Sequence, residues 1–276
     1  MFSKKIGAGL SGVFALAGAF LWSTAASALP VDWQMNFQPA ASPVMDRIES
    51  FHQELVFIII AVSLFVLALL AWIVIRYNKR RNPVPSKTAH NTLLEVAWTL
   101  IPVIILVIIA IPSFRLLYFE AEIPTPDLTI KAIGKQWFWS YEYPASKIAF
   151  DSLGLSDADA AKNGEPRLLG VDNAIWVPVN KVVEVDTTGA DVIHSWALPQ
   201  MGVKMDAVPG RINKTWFKAT KIGTYYGECS ELCGARHAYM PIEVHVVSDA
   251  DYAAWLDGAK KKFSASLDTN TRVAAK

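Results

Sequence analysis

The chain has 276 residues, 53% of them hydrophobic, with a mean hydropathy of +0.28 and a net charge of +1. That balance gives no reason for a nucleic-acid partner and is too apolar for a wholly soluble protein, so part of the chain is expected in lipid. The charge is unevenly distributed along the chain, and its distribution carries the topology.

Residues 1–28 hold Lys4 and Lys5, then a run of small and apolar residues, then Ala26-Ser27-Ala28. A basic start, an apolar middle and a small-x-small end predict a secretory signal peptide, with an uncleaved first membrane helix as the alternative. Export would place the mature chain where disulfides are permitted.

Residues 29–123 are read as an N-terminal segment and two spans. The stretch 55–75 has no charged residue and, at about 1.5 Å per residue, reaches the roughly 30 Å of a bilayer's hydrocarbon core. A second uncharged run, 96–114, predicts a helix over about 96–117. Pro102 and Pro112 are tolerated there because neighbouring helices can satisfy the freed carbonyls. Between the spans, loop 76–95 carries Arg76, Lys79, Arg80, Arg81 and Lys87 against Glu95. Basic loops stay in the cytoplasm. The N-terminus and everything after the second span are then expected on the periplasmic side of a bacterial inner membrane.

After Pro124-Thr125-Pro126, which reads as a stiff hinge, residues 124–263 show short β-branched and aromatic stretches, among them LTIKAI, WFWSYEY, KVVEVDTT and IEVHVV. Turn residues at Asn163-Gly164, Pro209-Gly210 and Gly223 punctuate them. Short alternating strands without a long amphipathic helix predict an antiparallel β-sandwich or barrel. Residues 144–166 read as a surface excursion, 250–263 as a closing helix and 264–276 as a loose tail.

The only two cysteines lie in GECSELCGARHAYM, residues 227–240. Cys229 and Cys233 are four apart, His237 follows four later and Met240 three after that. A disulfide is the default for two cysteines in an exported domain, but it leaves His237, Met240 and His194 without a purpose. Zinc accepts two Cys and two His, yet Met suits it poorly and the spacing is not that of a zinc finger. Thiolates with imidazoles and a thioether suit copper. The set exceeds a mononuclear blue-copper site by one cysteine, which is enough to hold two ions. Spacing alone does not decide among the three.

DVIHSWALP at 191–199, DAVPGR at 206–211, YYGECSELCGARHAYMPI at 225–242 and QWFWSYEY at 136–143 resemble the hallmark segments of subunit II of haem–copper cytochrome c oxidase. The similarity runs from roughly Phe51 to Trp255, both spans included. It implies a two-helix transmembrane hairpin followed by an all-β, cupredoxin-like Greek-key sandwich. It also implies a dinuclear copper A centre, bridged by Cys229 and Cys233, with His194 and His237 as terminal ligands. Met240 and the backbone carbonyl of Glu231 would be the weak ligands, and the Glu231 carboxylate would bind magnesium shared with subunit I.

Trp137 matches the tryptophan that receives electrons from cytochrome c. Glu142, Asp151, Asp172 and Asp191 are the acids expected to steer that lysine-rich donor, on a domain whose residues 128–258 carry 16 Asp/Glu against 12 Lys/Arg. Glu95 matches the carboxylate through which protons enter the K pathway of subunit I. The implied partners are subunit I, with its haems and copper B, subunit III, cytochrome c and the lipid bilayer. No C-x-x-C-H motif is present, so no haem is expected in this chain. A quinol oxidase subunit would lack the copper ligands, and a nitrous oxide reductase would lack the double span. A membrane-anchored copper chaperone or a disulfide-bonded module would leave Trp137 and Glu95 without a role.

Overall fold

The computed structural model describes residues 26–27 and 31–263. The expected signal peptide and the tail 264–276 fall almost wholly outside the described residues. A short strand, β1 (Ala26–Ser27), runs parallel to Gly223–Thr224 of a later strand.

Two helices follow. Helix α1 (Pro43–Arg76) starts twelve residues before the uncharged run, because Ser42 and Pro43 form a start signal there. The Ser42 hydroxyl accepts from Met45 N at 3.0 Å, Pro43 needs no amide partner, and Asp46 lies in the positive first turn. Helix α2 (Thr92–Ala121) is capped by Asn91, whose side chain accepts from Leu94 N at 3.1 Å, and it passes through Pro102 and Pro112 unbroken. Both helices are long and apolar enough to cross a membrane, and none of their most apolar stretch is buried within the chain. Their apolar faces need lipid or a partner protein.

The rest is a sandwich of two sheets, β2 (Leu128–Lys135), β3 (Phe138–Tyr143), β4 (Ile148–Ser152), α3 (Asp157–Asn163), β5 (Ile175–Pro178), β6 (Val182–Gly189), β7 (His194–Leu198), β8 (Val203–Ala207), β9 (Asn213–Lys218), β10 (Gly223–Cys229), β11 (Pro241–Val247) and α4 (Asp249–Phe263) in chain order. One sheet runs β4-β3-β2-β6-β9 and the other β5-β11-β10-β7-β8, so the chain crosses between layers at almost every step from β4 to β10. The sheets are mixed, not purely antiparallel as the strand pattern suggests. β2 pairs parallel with β6, and β5 parallel with β11, because a strand that returns after crossing to the other layer is free to lie in the same direction.

Strands β2 and β6 alternate buried and half-buried residues, which puts Ile130, Ala132, Val183 and Val185 inside, against Trp196, Tyr225, Ile242 and Val244 of the facing sheet. The stretch read as a surface excursion is partly core. Ile148, Ala149 and Phe150 of β4 are buried, and β4 forms the edge of the first sheet. Helix α4 closes one side through Trp255, which packs on Tyr143 and Trp176.

The connection at Pro124–Pro126 is flanked by anchors. Trp216 Nε1 donates to the Glu120 carbonyl at 3.2 Å, and Val182 N donates to Asp127 Oδ2 at 2.8 Å. At the start of α1, Ala41 N donates to the Gln200 carbonyl and Ser42 Oγ to the Met201 carbonyl, at 3.0 and 2.7 Å. Gly202 follows with a left-handed φ of 70°, and a Cβ there would come within 3.1 Å of the Met45 backbone, so only glycine lets the helix start sit this close.

Ser42 therefore both caps α1 and ties it to the sandwich while fully buried. Ser42→Ala removes the cap and leaves the Met201 carbonyl without this donor. The expected loss is about 1–3 kcal/mol, read as a lower unfolding midpoint of the detergent-solubilised protein.

Candidate metal centre

The site forms where β7 and β10 pair and the chain turns back after β10. Antiparallel register sets Cys229 opposite Trp196 and so brings His194 beside the cysteine loop. The loop is held by its backbone: Cys229 N donates to the Met240 carbonyl at 3.3 Å, Ser230 N to the Ser195 carbonyl at 2.9 Å, and His237 N to the Gly234 carbonyl at 3.2 Å.

Both cysteines are buried and unbridged, with sulfurs 3.8 Å apart. His194 Nδ1 is 3.9 Å from Cys229 Sγ, and His237 Nδ1 is 3.7 Å from Cys233 Sγ. Met240 Sδ lies 3.5 Å from Cys233 Sγ, and the Glu231 carbonyl 3.4 Å from Cys229 Sγ. A ring nitrogen of His194 and both sulfurs fall within 4.8 Å of one another. Two thiols, two imidazoles, a thioether and a carbonyl thus converge with no bond between the sulfurs. This soft donor set fits copper, and two thiols placed side by side fit a pair of ions better than one.

The surroundings fix the donors. His194 is fully buried, and a Cβ on Gly134 would come within 2.7 Å of its ring, so glycine is what makes room for the imidazole. His194 Nε2 lies 2.9 Å from Asp191 Oδ1, while Gln136 N donates to Asp191 Oδ2 at 2.7 Å. A carboxylate on the outer nitrogen fixes the tautomer that points Nδ1 at the sulfurs. Burial raises the Asp191 carboxyl, but hydrogen bonds, led by that of His194, outweigh it and leave it below the usual value. Burial raises both thiols as well. For Cys229 the donors around it, led by His194, bring it down to about 6. Cys233, buried beside the Cys229 charge, is pushed up to about 12. Burial disfavours the His194 cation, yet Cys229 and Asp191 raise its pKa overall.

The other predicted residues are placed as follows. Trp137 is half-buried, and its indole N–H donates to the Cys233 carbonyl at 3.3 Å, beside Gln136 Nε2 at 2.8 Å. The Glu231 residue is exposed. Asp191, expected at the donor surface, is committed to His194 and Gln136 with its side chain 35% exposed. Glu142 pairs with Lys131 at 3.4 Å, Asp151 with Lys135 at 3.7 Å and with the Ser140 hydroxyl, and Asp172 accepts from Leu153 N at 2.7 Å. Glu95 lies far along the chain from the loop, in the first turn of α2, 2.7 Å from His90 Nδ1.

Gln136 and Gly134 were not singled out from the sequence, although both lie in or next to the aromatic segment that was. His245 is half-buried, stacked on Trp176 with centroids 4.7 Å apart and 2.7 Å from the buried Glu243 carboxylate.

Comparison with known proteins bears on this arrangement. The family described as cytochrome c oxidase subunit II, periplasmic domain, matches residues 128–247, and the corresponding transmembrane domain matches residues 30–116. The probable cytochrome c oxidase subunit 2 of Rickettsia bellii is 49% identical over 268 residues, 96% of this chain and 98% of that one. The cytochrome c oxidase subunit 2 of Cereibacter sphaeroides is 45% identical over 242 residues, covering 82% and 80%. Among solved structures, the periplasmic domain of subunit II of the cytochrome oxidase of Bradyrhizobium japonicum is 59% identical, covers 51% of this chain and 99% of its own, and gives a TM-score of 0.48.

The thiols make a pH prediction for the metal-free protein. A thiol held below its ordinary range contributes stability above that range and loses it as pH falls through about 6. The raised His194 works in the opposite sense, contributing below the ordinary imidazole range and losing it as pH rises through its folded value. The pair of thiolate and imidazolium is therefore populated from about pH 6 upward until the imidazole titrates. Thiolate absorbance in the ultraviolet should show one thiolate per chain appearing near pH 6, abolished by Cys229→Ser. Two thiols titrating together in the ordinary range would contradict it.

Proposed function

Because the chain belongs to the subunit II family of cytochrome c oxidase, we propose that it is the electron-input subunit of a proton-translocating terminal oxidase. It receives single electrons from cytochrome c and passes them to haem in subunit I, where oxygen is reduced and protons are pumped. The observation that carries this reading is the pair of buried, unbridged thiols 3.8 Å apart, each with an imidazole Nδ1 within 4 Å. Copper A, when bound, supplies a one-electron couple shared by two ions.

The chain's own residues do the rest. Cys229, Cys233, His194 and His237 would hold the ions, with Met240 and the Glu231 carbonyl as the weaker donors. Burial of both sulfurs and of Met240 excludes water, which suits electron transfer and leaves no place for a substrate to react. The anchored loop resists rearrangement when charge changes. Trp137 supports the role of electron input because its indole is hydrogen-bonded to a cysteine of the site while the residue is only half-buried. Glu142, Asp151, Asp172 and Asp191 would meet the donor's lysines. Asp151, at 53% side-chain exposure, is more open to solvent than Glu142 at 37% or Asp191 at 35%. Asp191 has the further task of orienting His194.

The exposed Glu231 carboxylate would hold magnesium at the boundary with subunit I, a hard cation for an oxygen ligand. Glu95, at the start of α2 on the opposite side of the membrane from the sandwich, would admit protons to subunit I. The chain is a membrane protein. In this reading it lies in a bacterial inner membrane, its sandwich in the periplasm and loop 76–95 in the cytoplasm, after removal of a signal peptide, alongside subunits I and III. Haem belongs to subunit I.

The test is electron paramagnetic resonance of the full-length chain loaded with copper in detergent. One unpaired electron shared equally by two copper nuclei gives seven hyperfine lines, whereas a single copper gives four. Seven lines, lost in Cys229→Ser and Cys233→Ser, are expected. Four lines, or a Cys229–Cys233 disulfide in the mass spectrum with no copper uptake, would favour a chaperone or a structural module. Trp137→Phe keeps an aromatic ring but removes the indole donor. It should leave the copper spectrum in place and slow electron uptake from reduced cytochrome c in stopped flow.

A further inference from the structure

A shallow cavity of about 250 Å³ opens between the two helices at their sandwich end, lined by Arg47, Ser50, Phe51 and Glu54 of α1 and by Arg115 and Leu116 of α2. It lies at a definite depth. The uncharged runs begin at Leu55 and end at Phe114, so Glu54 and Arg115 mark the edge of the apolar band on both helices. Among the described residues, neither Arg47 nor Arg115 makes an ion pair or a hydrogen bond.

Arg47 is nonetheless held in place. Its guanidinium lies over the Phe119 ring at 3.5 Å, and Phe119 meets Trp216 edge-on at 5.5 Å. Trp216 is itself fixed by its bond to the Glu120 carbonyl. A guanidinium stacked by its face keeps its in-plane N–H groups free, and these match the paired oxygens of a phosphate. The Ser50 hydroxyl donates to the Asp46 carbonyl at 2.8 Å and adds little. Pro112 supplies apolar wall on the membrane side, while Phe51 and Leu116 lie on the sandwich side of that edge.

We propose that this cavity binds the phosphate headgroup of an anionic phospholipid, with Arg47 and Arg115 as its donors and the acyl chains running down the hairpin past Pro112 along the uncharged runs. The charge count favours a phosphodiester over free phosphate. Two arginines and Glu54 leave one net positive charge, which one diester balances, whereas a phosphomonoester-type group carries close to two negative charges at neutral pH. The depth favours a lipid as well, because the phosphate layer lies at the edge of the hydrocarbon core. Two unpaired arginines on this side also run against the usual confinement of basic residues to the cytoplasmic loops, and a resident anion accounts for them.

The experiment uses the purified full-length chain in detergent, offered phosphatidylglycerol or phosphatidylcholine, with retained lipid read by native mass spectrometry. The wild type should retain phosphatidylglycerol preferentially. Arg47→Gln and Arg115→Gln should each lower that preference about five-fold, the worth of one basic residue at an anionic surface. Phe119→Leu should lower it with every charge in place, which separates a held guanidinium from general attraction. Unchanged unfolding midpoints show that the variants fold. Equal retention of the two lipids by the wild type, or an unchanged preference in the double arginine variant, overturns the proposal. Displacement of phosphatidylglycerol by millimolar inorganic phosphate also overturns it and assigns the cavity to free phosphate.

Discussion

The structure is organised around two sulfur atoms that lie side by side with no bond between them. A disulfide needs about 2.05 Å between sulfurs, and here the separation is 3.8 Å inside a buried pocket. The backbone of the loop is anchored on both sides of that gap. Its first cysteine is bonded through its amide to the Met240 carbonyl, the next residue to Ser195, and the carbonyl of the second cysteine takes two donors from the Gln136–Trp137 segment. Each such bond is worth only about 0.5–1.5 kcal/mol net. Together they make the relative positions of the thiols a property of the backbone, so a guest ion meets donors already in place.

The sandwich supplies that backbone. Pairing of β7 with β10 carries His194 across 35 residues of chain to the cysteine loop, and β2 leaves room for its ring by placing Gly134 against it. The loop between β6 and β7 adds Asp191, which links the outer imidazole nitrogen to the strand connection carrying Trp137. One carboxylate thereby couples a donor of the site to the aromatic segment on the surface. Core side chains from both sheets, among them Trp139, Trp196 and Tyr225, fill the space behind and fix the distance between the layers. A site built on strand ends over such a core has little freedom to change shape.

Much of this was legible in the sequence, for identifiable reasons. The membrane helices are long uncharged runs, and the loop donors lie within twelve residues, so local spacing sufficed to bring them to notice. The helix starts were harder, because residues 43–54 mix charged with apolar residues and the Ser42-Pro43 pair marks the true beginning of α1. Strand β4 was hidden by a neighbourhood of Ala, Ser and Asp that has the composition of a loop, although its Ile148 and Phe150 are core. The parallel pairings of β2 with β6 and of β5 with β11 depend on the order in which the chain crosses between layers, which no local pattern encodes. Asp191 was read for its charge, and its bond to His194 emerges only when residues three apart at a strand entrance turn toward each other.

The junction between hairpin and sandwich separates two requirements that the sequence shows only as adjacent segments. The helices bury none of their most apolar stretch within the chain, so lipid or a partner protein must cover them and their lateral neighbours decide how they sit in the bilayer. The height of the metal centre is set elsewhere. Ser42 and Ala41 tie α1 to the turn at residues 200–201, Lys221 donates to the Ala40 carbonyl at 2.9 Å, and Trp216 ties α2 to β9. These anchors lie on both helices and on different strands. Tilting the sandwich in any direction must therefore break bonds on at least one side, and a proline connection alone would not impose that. The hairpin can adjust to its surroundings below the junction while the donor cluster keeps its distance from the membrane surface. The proposed transfer of electrons to a neighbour in the bilayer depends on that distance.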